Sequence, residues 1–346
     1  MRLAANLTYQ GAGELAREAE RLDYDLVLAA ESPRSDAVSV LGLVAGATSR
    51  IGIGSGVMQI PARPPGATAL AAATLHALSG GRFRLGLGVS NPHISDGWYG
   101  VDFAHPLGRT REYVDIVRRA LAGGPVRHDG PHFPLPAHGL GGAPLHLLTD
   151  LPPARLPLYL GAVGPQSLRL AGELADGWVS GFTTPELVAD SVRLLAAGRE
   201  RAGRTAEDFE DFEVIPYVAV SVADDPAEAA AGLRAHYALL LAVGGADNFY
   251  CGLARGMGFD SGIDAFQERM AAGDRAGAAA AVPLGFIDRT ALLGPVGRIA
   301  DRLHAWSEAG VTTLSVLASA NDTDLEGRKR VLAHAARAME KAGLRT

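Results

Sequence analysis

Gly164-Pro165-Gln166 could hold a phosphate. They end an apolar run in "PLYLGAVGPQSLRLAGELADGWVSG" (157–181) and open a helix pattern. Proline suits the first helical position, because the N–H it lacks would be unpaired there. The next amides, from Gln166 to Leu168, point out of the helix start, and bare Gly164 lets an anion come close to backbone. Taken alone, the same residues fit an ordinary Gly-Pro strand-to-helix turn better. A second signal is glycine at 52, 54 and 56 in "IGIGSGVMQI", repeated at 86 and 88 in "GLGVSNPH". Alternation puts each set on one strand face, making room either for something flat or for close packing. A third is Gly11-Ala12-Gly13-Glu14-Leu15-Ala16 with Glu31 beyond it, which fits a dinucleotide fingerprint. A tight βα loop reads these residues as well and is preferred, because the same strand–helix unit continues to the C-terminus. His128, Asp129, His132 and His138 crowd together but are interleaved with Gly and Pro. They read as a solvated loop, and no metal is expected. No Walker A pattern and no G-x-S-x-G elbow occurs.

The elements that must position these residues alternate along the chain. Apolar runs at 2–7, 24–30, 50–60, 83–89, 158–163, 177–180, 212–222 and 311–318 read as strands. Helical stripes at 13–22, 35–48, 65–79, 109–121, 165–174, 185–203 and 326–343 separate most of them. Strands that are apolar throughout are covered on both faces, which implies a parallel sheet. Eight such units predict a (β/α)8 TIM barrel in a single domain covering 1–346, with insertions at about 125–156, a hairpin, and about 244–295, helices with loops.

A barrel places chemistry at the C-terminal ends of its strands. The residues there are Asn6 and Tyr9, then Glu31, then Ser55, Gly56, Val57 and Gln59. Ser90, Asn91, His93, Trp98 and Tyr99 follow the fourth strand, Ala162, Val163, Gly164, Pro165 and Gln166 the fifth, and Trp178 lies on the sixth. Asp176 sits at the opposite, N-terminal end and reads as shaping a loop. No acid–base set stands out, which suits an enzyme whose hard chemistry belongs to a cofactor.

With 48% hydrophobic and 20% charged residues and a net charge of −6, the chain can bury a large core and has no basic stretch for nucleic acid or anionic membrane. One cysteine, Cys251, excludes an internal disulfide. No run reaches the length of a membrane span, and the N-terminus lacks a signal-peptide core, so a cytoplasmic protein is expected.

Several ordered stretches resemble the luciferase-like monooxygenase superfamily, and within it the coenzyme F420-dependent oxidoreductase branch. They are "SRIGIGSGVMQIPARPPGATALAAATLHALSGGRFRLGLGVSNP", "GWYGVDFAHPLGRTREYVDIVRRAL", "LPLYLGAVGPQSLRLAGELADGW", "DNFYCGLARGMGF", "AAAAVP" and "EAGVTTLSVL". The resemblance implies a barrel holding F420, or alternatively FMN, at the strand C-termini. It puts Gly164-Pro165-Gln166 near the cofactor phosphate and a cis peptide at Gly56-Val57 behind the ring system. Ser55, Gln59, Ser90, Asn91, Ala162, Val163 and Trp178 complete the expected cofactor set, with His93, Trp98 and Tyr99 toward substrate. The chain departs from the branch after strand two, where "AAESPRSD" carries no histidine or tryptophan. Glu31, Asn6 and Tyr9 are then the candidates for proton donor. The implied activity is hydride transfer between F420 and a small enone, imine or ketone. A monooxygenase using reduced FMN and oxygen, and a non-catalytic cofactor-binding protein, are the rivals. The family also implies a homodimer.

Overall fold

The structure is a computed structural model that describes all residues except 138–141, 206–210, 244, 246–247, 322 and 346. The strands are β1 (Arg2–Leu7), β2 (Leu26–Ala29), β3 (Gly52–Ser55), β4 (Met58–Gln59), β5 (Phe83–Gly88), β6 (Leu158–Gly161), β7 (Gly177–Gly181), β8 (Glu213–Ser221), β9 (Ala291–Leu293) and β10 (Thr313–Leu317). The helices up to β8 are α1 (Ala12–Arg21), α2 (Ala37–Ala47), α3 (Pro65–Leu78), α4 (Pro92–Gly97), α5 (Pro106–Leu121), α6 (Pro165–Leu174) and α7 (Pro185–Arg201). After β8 come α8 (Pro226–Ala231), α9 (Arg234–Ala242), α10 (Phe249–Gly256), α11 (Asp260–Ala271), α12 (Arg275–Ala281), α13 (Leu284–Thr290), α14 (Val296–Glu308) and α15 (Leu325–Lys341).

These elements fall into two compact units. One comprises Leu7–Ser180 and Asp190–Ile215; the other Met1–Asn6, Gly181–Ala189 and Pro216–Thr346. In the first unit, β2, β3, β5, β6 and β7 pair in that order, all parallel, with Leu26 opposite Gly52, Ile53 opposite Phe83, Leu85 opposite Leu158 and Tyr159 opposite Gly177. Where β3 stops, β4 takes over the pairing with β5, Gln59 lying opposite Gly88. In the second unit, β1 pairs β10, β10 pairs β8 and β8 pairs β9, again all parallel. With β3 and β4 as one interrupted strand and β9 as a short addition, the fold is the (β/α)8 barrel expected, carrying insertions.

Local sequence explains the elements. β2 and β3 are buried throughout, as strands covered on both faces should be. Asp36 caps α2 by accepting the Ser39 amide at 2.7 Å. Gly11 takes the left-handed φ of 70° that ends the β1 loop, and Gly13 packs against Ala47 of α2, so the fingerprint glycines serve the loop and the helix contact. Helices α6 and α7 cross so closely that a methyl at Gly172 would lie 2.0 Å from the Leu195 carbonyl oxygen.

One expectation shifts: the hairpin insert contains a single bridge, His128 to Leu135, and is otherwise irregular over its described residues. The later insert is helices with loops as expected, α10 to α13, and ends in the short strand β9. A short helix, α4, breaks the loop after β5.

Asp176 ties the N-terminal side of the first unit together. Its carboxylate accepts the Leu158 amide at 2.9 Å, Arg155 at 2.5 Å and Arg118 at 3.3 Å. Asp176→Ala is expected to cost about 3 kcal/mol, since it strips a nearly buried anion from two guanidinium groups and orphans an amide. A lower urea midpoint at unchanged slope would record it.

Candidate functional site

Strands β4, β5 and β6 end side by side in the first unit, with Gln59 opposite Gly88 and Gly88 opposite Gly161. Their ends carry the residues that follow Gln59, Gly88 and Gly161. Gly56-Val57 is a cis peptide. The Val57 side chain lies over the glycines of the neighbouring strands. A methyl at Gly88 would come within 2.6 Å of Val57 Cγ2, and one at Gly161 within 3.4 Å of Val57 Cγ1. Of the two readings of Gly86 and Gly88, close packing holds: a methyl at Gly86 would meet the Ser55 carbonyl oxygen at 2.1 Å, and Val57 fills the space at Gly88. Gly52 and Gly54 face a different neighbour: a methyl at Gly52 would lie 2.4 Å from Arg84 Nη1, so close packing is what those two glycines serve. Ser55, fully buried, is spent on the sheet; its Oγ donates to the Gly86 carbonyl at 2.8 Å and accepts the Gly86 amide at 2.9 Å.

Glu31 is the centre of the polar geometry. It is 7% exposed. Its amide donates to the Val57 carbonyl at 3.1 Å. Its carboxylate accepts the Gln59 amide at 2.8 Å and Arg63 Nη1 at 3.2 Å, and pairs closely with Arg63 Nη2. Its carbonyl accepts Gln59 Nε2 at 2.8 Å. Arg63 also reaches Asp36 at 3.2 Å. Burial works against the charged Asp36 carboxylate, but the Ser39 hydrogen bonds and Arg63 hold it below its ordinary value. Tyr113 donates to the Arg63 carbonyl at 3.0 Å, which pins the loop from the helix side. Glu31 thus clasps the segment from Val57 to Arg63, with every polar group it has already engaged. Burial and then the Glu31 charge raise the Tyr99 phenol, which places that half-buried residue in the same field.

Two buried polar atoms beside the clasp have no partner among the described residues: Gln59 Oε1 and Ser90 Oγ. Native interiors rarely leave such atoms without a hydrogen-bond partner, whether protein, water or ligand. Ser90 stands at a positive φ of 67° where β5 ends. Asn91 is committed, its Oδ1 accepting the Ile94 amide at 3.1 Å as the cap of α4. His93 and Trp98 are exposed, the latter at 63%, and Tyr9 is exposed too. Asn6 lies buried near the end of β1 in the second unit.

At the end of β6, Gly164, Pro165 and Gln166 are exposed, as is Val163, while Ala162 is buried. Gly164 caps α6 without a side-chain hydrogen bond. Ser167 Oγ donates to the Gly164 carbonyl at 2.9 Å and accepts the Val163 amide at 3.3 Å. The first amides of a helix have no intrahelical acceptor, so those of Gln166 and Ser167 remain to meet an anion. Trp178 is buried to 1%, and its indole N–H donates to the Ala162 carbonyl at 2.8 Å. It fixes the turn that carries Gly164.

Elsewhere, His128 sits 3.3 Å from both Glu112 and Asp115, which moors the insert to α5; His138 lies outside the described residues. No group of three or more His, Cys, Asp or Glu among the described residues could hold a metal ion. A groove of about 750 Å³ runs between α3, α5 and the insert. Cys251 is buried, its thiol raised by that burial and its sulfur 3.5 Å from the Leu241 carbonyl.

Arg63 and Ser167 were missed in sequence. Arg63 stands in the proline-rich "PARPP", whose composition signals only a loop.

The luciferase-like monooxygenase family matches residues 1–313. The chain belongs to that family. A Mycobacterium tuberculosis protein with the provisional name coenzyme F420-dependent oxidoreductase is 38% identical over 331 residues, 92% of this chain and 95% of its own length. A 5,10-methylenetetrahydromethanopterin reductase from Archaeoglobus fulgidus is 30% identical, over 79% of each chain. Among solved structures, the coenzyme F420-dependent tetrahydromethanopterin reductase of Methanopyrus kandleri superposes with a TM-score of 0.80 at 22% identity, covering 97% of each chain. That likeness bears on the family fold, and it agrees with the barrel read from the strands.

Proposed function

We propose that this chain is an F420-dependent oxidoreductase that passes a hydride between F420 and a small organic substrate of the enone, imine or ketone class. The observation that carries this reading is the 38% identity, nearly end to end, with the M. tuberculosis relative. The site is chemically suited to such a cofactor. Gln59 Oε1 and Ser90 Oγ offer unpaired polar atoms for the edge of a ring system, and the exposed start of α6 offers free amides for a phosphate.

When bound, F420 supplies the hydride chemistry of its deazaflavin. The chain's residues supply the rest. Val57, seated on Gly86, Gly88 and Gly161, would back the ring. Glu31 holds Gln59 in place through its carbonyl and carboxylate, and is a positioning residue. Trp178 holds the Ala162 carbonyl and so fixes Gly164, which would meet the phosphate. Tyr99, Trp98 and His93 would face the substrate. We further infer a cytoplasmic homodimer, for which Leu43 on α2 and Leu70 and Leu78 on α3 offer exposed apolar surface. No helix among the described residues is long and apolar enough to cross a membrane.

Titration of the purified chain with F420 and with FMN, followed by turnover of a cyclic enone without oxygen, tests the reading. Saturable F420 binding and anaerobic turnover are expected. Tight FMN binding with strictly oxygen-dependent turnover would instead mark a monooxygenase. Gly164→Asp localises the phosphate. The backbone there is extended, and a methyl would meet nothing nearer than Ser167 Oγ at 3.8 Å, so the helix keeps its start and gains a cap. Stability should hold while F420 affinity falls at least about thirtyfold, from carboxylate–phosphate repulsion at a shared set of amides.

A further inference from the structure

The second unit contains a pocket of about 160 Å³ that no part of the reading above uses. Its walls include Phe182, Tyr217, Tyr237, Leu240, Tyr250 and Leu317, and no Asp, Glu, Lys or Arg lines it. The walls are braced. The Phe182 ring centre lies 4.6 Å from that of Tyr237 and 4.8 Å from that of Tyr250. The Tyr237 hydroxyl pairs with Thr290 Oγ1 at 2.7 Å, and Thr290 in turn donates to the Phe286 carbonyl at 2.8 Å.

Tyr217 differs. Its hydroxyl is buried and has no hydrogen-bond partner among the described residues. The same is true of Ser315 Oγ, and Ser315 is the register neighbour of Tyr217 on the adjacent parallel strand, so the two side chains leave the sheet on one face. Two unpaired hydroxyls side by side, one of them lining a cavity, lack the oxygen they would bond. The volume is close to the roughly 150 Å³ cavity known to admit one benzene ring. An ionised ligand would meet no Asp, Glu, Lys or Arg here, only the His236 imidazole, and burying a charge so poorly matched is costly.

We propose that this pocket binds an uncharged, single-ring organic molecule whose carbonyl oxygen accepts a hydrogen bond from Tyr217. Burial raises the Tyr217 phenol above its ordinary range, so it stays protonated and able to donate. The proposal stands apart from the oxidoreductase reading, and binding itself needs no cofactor.

Calorimetric titration of the full chain, without F420, by cyclohex-2-enone and by benzoate tests it. The neutral ketone should bind and the anion should not. Tyr217→Phe should weaken the ketone about tenfold, the effect of one good hydrogen bond. The same variant should raise the thermal midpoint by about 2 °C, because it deletes an unpaired buried hydroxyl. A residue that merely packs would not move those two readouts in opposite directions. Leu240→Trp, which fills the pocket, should abolish ketone binding in a chain whose circular dichroism is unchanged. The proposal is overturned if the ketone fails to bind the native chain, if benzoate binds as well, or if Tyr217→Phe leaves affinity unaltered. With no F420 in the titration, its outcome and that of the cofactor reading fail separately.

Discussion

Arg63→Met is expected to destabilise the chain by about 3–4 kcal/mol and to abolish F420 binding. The Glu31 carboxylate is almost wholly buried, and Arg63, itself 18% exposed at the side chain, is its only counter-ion within ion-pair distance among the described residues. Removing one partner of a buried pair leaves an uncompensated charge, which is the costly half of the bargain. The loss should spread beyond the pair. Glu31 also holds the Gln59 amide, so a displaced carboxylate frees the segment on which Val57 and Gln59 are mounted. Glu31→Gln with Arg63→Met together should recover most of the stability, since neither charge is then stranded. Urea unfolding of the two single variants and the double variant gives the coupling energy directly. Additive losses would show that Glu31 and Arg63 act independently.

Gly86→Ala should lose about 3 kcal/mol, at the upper end of what one added methyl costs. The methyl would lie 2.1 Å from the Ser55 carbonyl oxygen and 3.4 Å from Val57 Cγ1. A backbone oxygen cannot rotate away as a side chain can. The end of β3 must therefore shift, and the valine seat shifts with it. F420 affinity should fall together with stability. Gly66→Ala on α3, where a methyl meets nothing within 4 Å, serves as the control and should be neutral or slightly stabilising. Equal stability of the two variants in urea would refute the close-contact account of Gly86.

The barrel was readable because its strands are short, apolar and bounded, and because α6 begins with Pro165 and runs as far as its stripe does. The phosphate-ready turn was readable for the same reason: its free amides follow from helix geometry alone. The clasp was not. It joins residues separated by 28 to 32 positions, and neither Glu31 nor Arg63 sits in a periodic pattern that would face them toward each other. The face of Trp178 was also unreadable. In a strand of Gly, Trp, Val, Ser and Gly, alternation is too short to tell inside from outside, and only the hydrogen bond to Ala162 does. β9 is three residues of Ala and Leu, indistinguishable from the end of a helix. The pocket around Tyr217 draws on strand, loop and helix segments, so no local window contains it.

Cys251, the sole cysteine, is shut away from solvent, and burial keeps its thiol in the unreactive protonated form. The native chain is therefore chemically silent toward maleimides and alkylating dyes. A single cysteine introduced at exposed Gln166 would carry a fluorophore to the start of α6 with no background label. Arrival of a phosphate at that turn could then be timed by stopped flow in the otherwise unmodified protein.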